Sequence, residues 1–278
     1  MSQVPTGVRC WEPLKLRPYI ALTLVILAPL CSYARTRAPR RQTSGVTQRK
    51  RLHINKLLAD PGTVEIDWAY LYSYTTGIIT LPSAIKYTPC GDTWLWGRTE
   101  YSVAFDSINS ATTAGGRATQ FSDRLTFQGA VGIKDTKHFD VAFAPQITVL
   151  LRNDSGVRYG ATALFRVDAK DNSIGFTAGW SAATAPSDTN PAGVVDLSAA
   201  YGRPLWHCGF FKKLTPHLNA TYEKATGFDR TVSVFGGVEY EINKRLAFDI
   251  SGQRYSFLGA QPDRQLLAGF TYTLGKSR

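Results

Sequence analysis

The chain has 278 residues, of which 44% are hydrophobic, 12% aromatic and only 19% charged. Soluble domains carry about 25% charged residues, so the deficit favours a protein with one face away from water. No run approaches the roughly 18 consecutive apolar residues that a membrane-spanning helix requires, which excludes the helical class of membrane proteins.

Residues 1–34 have the pattern of an export signal that is removed from the mature chain. Three basic residues precede an apolar run over residues 19–30. Ser32 and Ala34 place small residues at the two positions that signal peptidase recognises, and we expect cleavage after Ala34. The many cations that follow oppose translocation, so a signal anchor or a wrongly assigned start codon remains an alternative.

Residues 35–62 form a predicted periplasmic arm with a strongly basic beginning. Seven of the 32 lysines and arginines lie between Arg35 and Arg51, with no acid among them. A run of this kind is usually a solvated tail, and here it would meet anionic lipid and lipopolysaccharide. Nucleic-acid binding is not expected, because such sites interleave cations with aromatic rings, and this stretch has no aromatic residue.

Residues 63–75, TVEIDWAYLYSYT, alternate with the period of a β-strand. One row, which begins at Val64, is apolar and aromatic, and the other row contains Glu65 and Asp67. In a soluble barrel the aromatic row would form the core, whereas in a membrane barrel it faces lipid. The alternation of this one strand leaves both orientations open.

The same period recurs to residue 274, and we predict twelve strands. Their predicted bounds are 63–75, 78–88, 93–105, 122–134, 139–151, 157–168, 173–183, 194–202, 214–225, 231–242, 246–257 and 264–274. Most exceed the soluble average of about 5–6 residues and suit a membrane-spanning strand. Connections alternate between short and long, as in outer-membrane barrels. The predicted fold is an all-β, antiparallel, up-and-down transmembrane β-barrel over residues 63–274, with a tail at 275–278.

Each predicted strand has one face poor in charge and one face rich in small and polar residues. In the fourth strand the first face carries Phe127 and Ile133, and the second carries Arg124 and Lys134. The polar face suits a narrow lumen, while a soluble β protein with an aromatic core is the alternative. The candidate lumen and selectivity residues are Glu65, Asp67, Arg98, Glu100, Arg124, Arg158 and Arg166.

Several short segments resemble one family of outer-membrane proteins. They are Pro61 to Asp67, Leu81-Pro82 with Lys86-Tyr87, Asp92, the Arg98 and Glu100 pair, Asp123 to Leu125, and Arg152 to Gly156. Together they look like the family named for the meta-pathway of phenol degradation, over about residues 55–274. The resemblance implies a bacterial outer-membrane barrel that acts as a transporter, with no catalytic residue to carry over, and it does not establish a phenol substrate. The chain differs from many outer-membrane barrels at its C-terminal end. These barrels commonly end in an aromatic residue, whereas GKSR follows Leu274 here.

We predict no catalytic centre, metal site or cofactor. The outer-membrane phospholipase, which resembles this chain in strand number, has a serine two residues after a histidine, and none of His138, His207 and His217 is followed in this way. His217 is the histidine expected to face the lumen, as a hydrogen-bonded residue rather than a base. The spacing of His, Cys and acidic residues fits no zinc site.

Cys90 and Cys208 are the cysteines that remain after removal of residues 1–34. Export to an oxidising compartment permits a disulfide between them. Both lie in predicted periplasmic connections on nearly opposite sides of the ring, whereas a disulfide needs Cα atoms within about 7 Å. Two separate thiols are one prediction. A disulfide, formed if the connection 202–213 folds across the opening, is the other.

We predict a passive channel or transporter in the bacterial outer membrane for small solutes, hydrophobic or aromatic ones included. The expected partners are outer-membrane lipid and lipopolysaccharide, the barrel-assembly machinery and the small-molecule solute. Twelve strands predict a narrow passage, because eight-stranded barrels are filled by side chains and sixteen-stranded ones leave an aqueous pore. A structural or adhesive barrel is the second hypothesis, and an outer-membrane lipid-modifying enzyme is the third.

Overall fold

The computed structural model describes residues 57–74, 77–90, 98–113, 116–120, 124–136, 138–151, 156–169, 172–187, 190–204, 213–257 and 263–275. The predicted signal peptide, the basic beginning of the predicted arm and the last three residues lie outside these ranges. Within the described ranges, no helix is long and apolar enough to cross a membrane.

Strands make up most of the described residues. They are β1 (Thr63–Ser73), β2 (Ile79–Thr88), β3 (Thr99–Thr113), β4 (Gly116–Gln120), β5 (Arg124–Asp135), β6 (Phe139–Leu150), β7 (Val157–Ala169), β8 (Asn172–Ala183), β9 (Gly193–Gly202), β10 (Leu214–Ala225), β11 (Thr231–Asn243), β12 (Leu246–Phe257) and β13 (Asp263–Leu274). Apart from the short β4, all are at least as long as the roughly 9–11 residues that a membrane-spanning strand needs.

Twelve of these strands close into one antiparallel ring. Neighbours in the ring follow chain order, from β1 through β2, β3 and β5 to β13. β13 returns to β1, with Leu274 opposite Val64 and Gln265 opposite Ser73, so the ring has no open edge. Both ends of the ring's chain, Thr63 and Leu274, lie at the same rim, which is the periplasmic one in a barrel of this type. The predicted twelve-stranded up-and-down barrel is confirmed.

The third strand differs from its prediction. The predicted strand 93–105 was followed by a long outer loop, whereas β3 continues to Thr113 and its far end pairs with β4, Thr113 lying opposite Gly116. The threonines of this region favour extended pairing, but Ile108 is the only large apolar residue in the sequence from Asp106 to Gln120, so there is no alternating pattern to detect. Residues 93–97 lie outside the described part of the chain.

Large apolar side chains face outward and small polar ones face inward. On β1, Trp68 is 41% exposed and Tyr70 is 39% exposed, while Glu65 and Ala69 are each 7% exposed. Outward tyrosines near the periplasmic rim, such as Tyr101, are exposed as well, which suits an interfacial position. This distribution is the reverse of a soluble barrel, so the aromatic row of β1 faces lipid as the pattern of twelve strands predicted.

Lys134 does not face the lumen as predicted. The pairing of β5 with β6 shifts register between Gly132 and Lys134, because a β-bulge there adds one residue to β5. The Lys134 Nζ atom consequently lies 5.9 Å from the ring centroid of the outward-facing Phe139. The bulge instead turns Asp135 inward, opposite Asp140.

The barrel lumen as candidate functional site

The inward-facing side chains surround a cavity of about 180 Å³. Its wall includes charged groups from strands all around the ring, among them Asp67, Lys86, Arg124, Arg166 and Asp249. Charged side chains around an internal cavity can bind or repel a solute inside the barrel. The lumen is therefore the candidate functional site, and its walls are described below from β1 onward.

Lys86 joins two of the predicted lumen residues on β1. Glu65 lies directly opposite Lys86 in the pairing of β1 with β2, and Asp67 is the next inward residue. The Lys86 Nζ atom is 2.7 Å from Asp67 Oδ2 and 3.4 Å from Glu65 Oε2. Asp67 Oδ1 also accepts a hydrogen bond of 2.5 Å from the Thr271 hydroxyl. The structure brings Glu65 and Asp67 together, and the sequence-based prediction missed Lys86, the cation that bridges them.

Arg98 and Glu100 bind the chain segment that precedes β1 rather than each other. The Arg98 guanidinium donates from Nη2 to the Leu58 carbonyl at 3.1 Å, and its Nη1 is 3.1 Å from Asp135 Oδ2. The Ala59 N–H donates to Glu100 Oε2 at 2.9 Å. These contacts hold residues 57–60, here called the closing segment, against β3 at the periplasmic end.

Leu58 of the closing segment lies inside the barrel. Its side chain is 3% exposed and packs against four inward residues of β5, β6 and β7. These residues, here called the alanine recess, are Ala130, Ala142, Ala144 and Leu164. Leu57 packs against the same cluster. A Cβ atom added to Gly132 would lie 3.2 Å from Leu58 Cδ1, so small residues in neighbouring strands create the space that Leu58 fills.

Arg166 lies between two carboxylates on the β6 and β7 wall. It is 8% exposed, its Nη1 atom is 3.6 Å from Asp140 Oδ2, and it donates hydrogen bonds to Asp168 from Nε and Nη2. The register places Asp140 opposite Arg166, and Asp168 is two residues further on the same face. A guanidinium this deeply buried requires such partners.

The predicted residues Arg158 and Arg124 lie nearer the outer rim. Arg158 donates to Ser181 Oγ at 3.0 Å, to Asn190 Oδ1 at 2.8 Å and to the Pro191 carbonyl at 2.5 Å. It therefore fixes the connection between β8 and β9. Arg124 lines the cavity itself.

His217 lines the cavity beside an acid that was not among the predicted candidates. Its Nε2 atom is 3.4 Å from Asp249 Oδ2, and its ring meets the edge of Phe235 at a centroid distance of 6.1 Å. The Ser251 hydroxyl donates to the other carboxylate oxygen, Asp249 Oδ1, at 3.5 Å. In the described residues, no group of three or more His, Cys, Asp or Glu side chains is placed to hold a metal ion.

The charges divide the lumen wall into two halves, which we call the mixed wall (β1 to β7, with Arg98) and the acidic wall (β8 to β13). The strand registers assign inward positions on the mixed wall to Lys86, Arg124, Arg158 and Arg166. Arg98 is the fifth cation counted there, placed by its contacts with Leu58 and Asp135. They assign inward positions on that wall to seven acids, which are Glu65, Asp67, Glu100, Asp106, Asp135, Asp140 and Asp168.

The acidic wall carries no lysine or arginine among its described inward side chains. Its inward acids are Asp196, Glu223, Glu239, Glu241 and Asp249. The register also sets like charges opposite each other, Asp196 facing Glu223 and Glu239 facing Asp249. Acids in directly opposed positions are unfavourable for strand pairing. Across both walls, twelve acids against five cations give the described lumen a formal charge of −7.

Cys90 is exposed at the periplasmic end, and a Cβ atom on Gly62 would lie 2.8 Å from its Sγ atom. Cys208 lies outside the described residues. The pairing of the two cysteines therefore stays a prediction.

Comparison with known proteins gives the fold a context. No family model matches the chain, and no curated protein matches it. An outer membrane channel from Pseudomonas putida F1 superposes with a TM-score of 0.55 at 9% identity, over 78% of this chain and 97% of that one. The chain has the fold of a bacterial outer-membrane β-barrel. The predicted fold class and outer-membrane setting are confirmed, while the particular family resemblance stays a prediction.

Two further solved structures are similar in outline. The KdgM porin has a TM-score of 0.49 at 10% identity, over 76% of this chain and 99% of that one. The CymD monoaromatic hydrocarbon channel has a TM-score of 0.41 at 9% identity, over 82% of this chain and 92% of that one.

Proposed function

We propose that the protein is a channel for the passive passage of small solutes across the outer membrane, with the lumen as its passage. The observation that carries the proposal is the closed ring itself, which turns apolar side chains toward lipid and surrounds an internal cavity with charged and polar ones. Such a wall stabilises water and polar solutes inside the membrane. The fold shared with an outer membrane channel supports the same function.

The predicted lumen residues take three different roles in this proposal. Arg124 and Asp67, which line the cavity, contact the passing solute. Arg158 holds the outer connection between β8 and β9. Arg98 and Glu100 hold the closing segment, and they act on passage by controlling access to the lumen.

The closing segment narrows the periplasmic mouth in this proposal. Leu58 reaches Ala142 and Ala144, three to five residues into β6, which corresponds to roughly 10–16 Å along the strand. Leu58 lies five positions before the start of β1 at Thr63, a span of at most about 18 Å. The segment therefore crosses from β1 toward the β5 to β7 wall, and solute passage requires it to move.

The remaining predictions extend the proposal beyond the described residues. Residues 1–34 direct export, and the basic part of the arm contacts anionic lipid and lipopolysaccharide from the periplasm. The barrel-assembly machinery inserts the barrel. The substrates are small solutes, and the lumen composition favours polar over hydrophobic or aromatic ones.

Conductance in planar lipid bilayers tests the channel and its closing segment together. We expect small, infrequent openings from the unaltered protein and more frequent or larger ones from Leu58→Ala, because the alanine recess then holds the segment less tightly. The matched control is Leu218→Ala, which removes the same atoms from a lipid-facing leucine that is 54% exposed and leaves conductance unchanged.

A reversible disulfide that holds the closing segment in place tests whether its movement is needed for conductance. In a background with both remaining cysteines replaced, Cys90→Ser and Cys208→Ser, Leu58→Cys with Ala142→Cys joins the closing segment to the alanine recess. We expect oxidation to abolish openings and a reductant to restore them. Absence of conductance from the unaltered protein, from Leu58→Ala and from the reduced double-cysteine protein would contradict a channel. That result favours a structural or adhesive barrel, and lipid hydrolysis by the purified protein would favour an enzyme.

A further inference from the structure

We propose that the periplasmic rim of β9 to β12 is a binding surface for anionic phospholipid headgroups in the inner leaflet of the outer membrane. The surface, here called the basic rim, consists of four exposed cations, which are Arg203, Lys213, Lys244 and Arg245. The proposal goes beyond the channel function and does not depend on conductance. It assigns to the barrel itself a lipid contact separate from that of the basic arm.

The four cations lie at the periplasmic ends of adjacent strands. Arg203 follows β9, Lys213 precedes β10, and the turn between β11 and β12 consists of Lys244 and Arg245. These strands are consecutive in the ring, so the ends of β9 and β12 are separated by roughly 14 Å. Because the Debye length is about 10 Å at 0.1 M salt, cations this close act together on a nearby anion.

One hydrogen bond joins the cations of the two connections. The Lys213 ammonium group donates to the Ile242 carbonyl at 3.0 Å, and Ile242 lies two residues before Lys244. The turn beyond it is fixed by Asn243, whose side-chain oxygen accepts a hydrogen bond of 2.8 Å from the Arg245 N–H, as asparagine does in tight turns. The basic rim is therefore one surface made by two connections.

The two connections that carry the basic rim contain no acid. Residues 203–213 and 244–245 include five lysines and arginines and no aspartate or glutamate. Glu241, near the end of β11, offsets one of the four cations of the basic rim, which leaves a formal charge of +3. A local excess of positive charge attracts an anionic surface whatever the net charge of the protein.

Tyrosines on the outward face place the basic rim at the membrane boundary. Tyr201 lies one residue before the end of β9, Tyr240 three before the end of β11 and Tyr272 two before the end of β13. Tyrosine is enriched at the level of lipid headgroups. Arg203 is two residues beyond Tyr201 and Lys244 is four beyond Tyr240, at most roughly 7 and 13 Å along an extended chain. Lysine and arginine side chains are long enough to extend from such positions to an interface.

The side of the membrane decides which lipid the basic rim contacts. Both ends of the ring's chain lie at this rim, which is the periplasmic one in a barrel of this type. Phospholipids form the leaflet on that side, whereas lipopolysaccharide belongs to the opposite leaflet. Clusters of lysine and arginine beside a membrane-spanning segment bind anionic headgroups, and guanidinium groups bind phosphate through paired hydrogen bonds. The chemistry therefore fits a phospholipid with a net negative charge.

Spin-labelled lipids in phosphatidylcholine vesicles test the proposal. The measured quantity is the association of labelled phosphatidylglycerol with the reconstituted barrel, relative to labelled phosphatidylcholine. We expect a several-fold preference for phosphatidylglycerol, which falls at high salt because the attraction is screened. The preference should fall toward one in the quadruple variant Arg203→Gln, Lys213→Gln, Lys244→Gln, Arg245→Gln. Exchanging lysine for arginine, and arginine for lysine, at the same four positions keeps the charge and should keep the preference.

Two matched double variants separate the basic rim from a general attraction between cations and anionic lipid. Lys244→Gln with Arg245→Gln removes two exposed cations at the periplasmic end of β11 and β12. Lys224→Gln with Arg230→Gln removes two exposed cations at the outer end of β10 and β11. We expect the first pair to lower the preference by more than the second. Equal falls in the two double variants, or an unchanged preference in the quadruple variant, would overturn the proposal.

The measurement is made with and without residues 35–51, because the seven cations of that segment have the charge to bind the same lipid. A preference that disappears with the segment and persists in the quadruple variant belongs to the arm and overturns the proposal. Sedimentation with purified peptidoglycan tests another anionic partner on the same side. Peptidoglycan binding that is lost in the quadruple variant, without a change in lipid preference, also overturns it. Absence of conductance would contradict the channel alone, since the lipid preference is measured independently.

Discussion

The mixed wall and the acidic wall are built from strands with the same alternation, yet their charges are used differently. On the mixed wall, Lys86 bridges Glu65 and Asp67, and Arg166 lies between Asp140 and Asp168. These groups connect neighbouring strands across their registers. On the acidic wall, strand pairing places inward acids directly opposite each other, Asp196 opposite Glu223 and Glu239 opposite Asp249.

The contrast concerns how each half of the ring holds its charges. Ion pairs between neighbouring strands in a narrow lumen stabilise the barrel. The mixed wall also carries the alanine recess and the contacts of the closing segment. The mixed wall therefore combines the ion pairs between neighbouring strands with the contacts that hold the closing segment.

Removing Arg166 has the largest expected effect on stability. Arg166→Met leaves Asp140 buried with a charge but without its guanidinium partner, and breaking a buried pair in this way costs roughly 3 kcal/mol or more. We expect a large fall in the free energy of unfolding, measured by urea denaturation of the barrel in lipid vesicles. Adding Asp140→Asn to Arg166→Met should restore part of the loss. A loss below about 1 kcal/mol, typical of exposed pairs, would remove the proposed structural role of the mixed wall.

Replacing Lys86 has the next largest expected effect. Lys86→Met removes contacts to both Glu65 and Asp67, and hydrogen bonds to charged groups contribute about 1.5–3 kcal/mol each in partly buried settings. We expect destabilisation of about 2 kcal/mol in the same unfolding experiment. Lys86→Arg keeps the charge and should retain most of the stability. An equal loss in both variants would indicate that shape rather than charge fixes this position.

The alternation of the sequence was sufficient to predict the ring and the direction of most side chains. A period of two assigns each residue to one of two faces, and strands of spanning length with a charge-poor face identify which face meets lipid. Glu65, Asp67, Arg124, Arg158 and Arg166 are inward for this reason. Lys134 was assigned wrongly because a bulge changes the period within a strand.

The partners of these residues could not be predicted in the same way. Alternation gives a face but not the register between strands, so it does not place Lys86 between Glu65 and Asp67 or Asp249 beside His217. The closing segment is too short for any period. Its inward position could be inferred from the sequence only after β5 and β6 are aligned in the correct register. The alignment shows that small inward residues of the two strands lie together and leave space for a side chain, which is the alanine recess.

Neutralising one acid of the acidic wall has the smallest expected effect on stability, and its sign is opposite to that on the mixed wall. Glu239 faces Asp249 directly, and cross-strand pairs contribute roughly 0.2–1 kcal/mol, unfavourably for like charges. Glu239→Gln keeps the size of the side chain and should leave stability unchanged or raise it by a few tenths of a kcal/mol. Asp168→Asn, which removes an acid bound to Arg166, is the matched variant on the mixed wall and should destabilise. If Glu239→Gln instead destabilised the barrel as much as Asp168→Asn, the acids of the acidic wall would stabilise the barrel as the ion pairs of the mixed wall do.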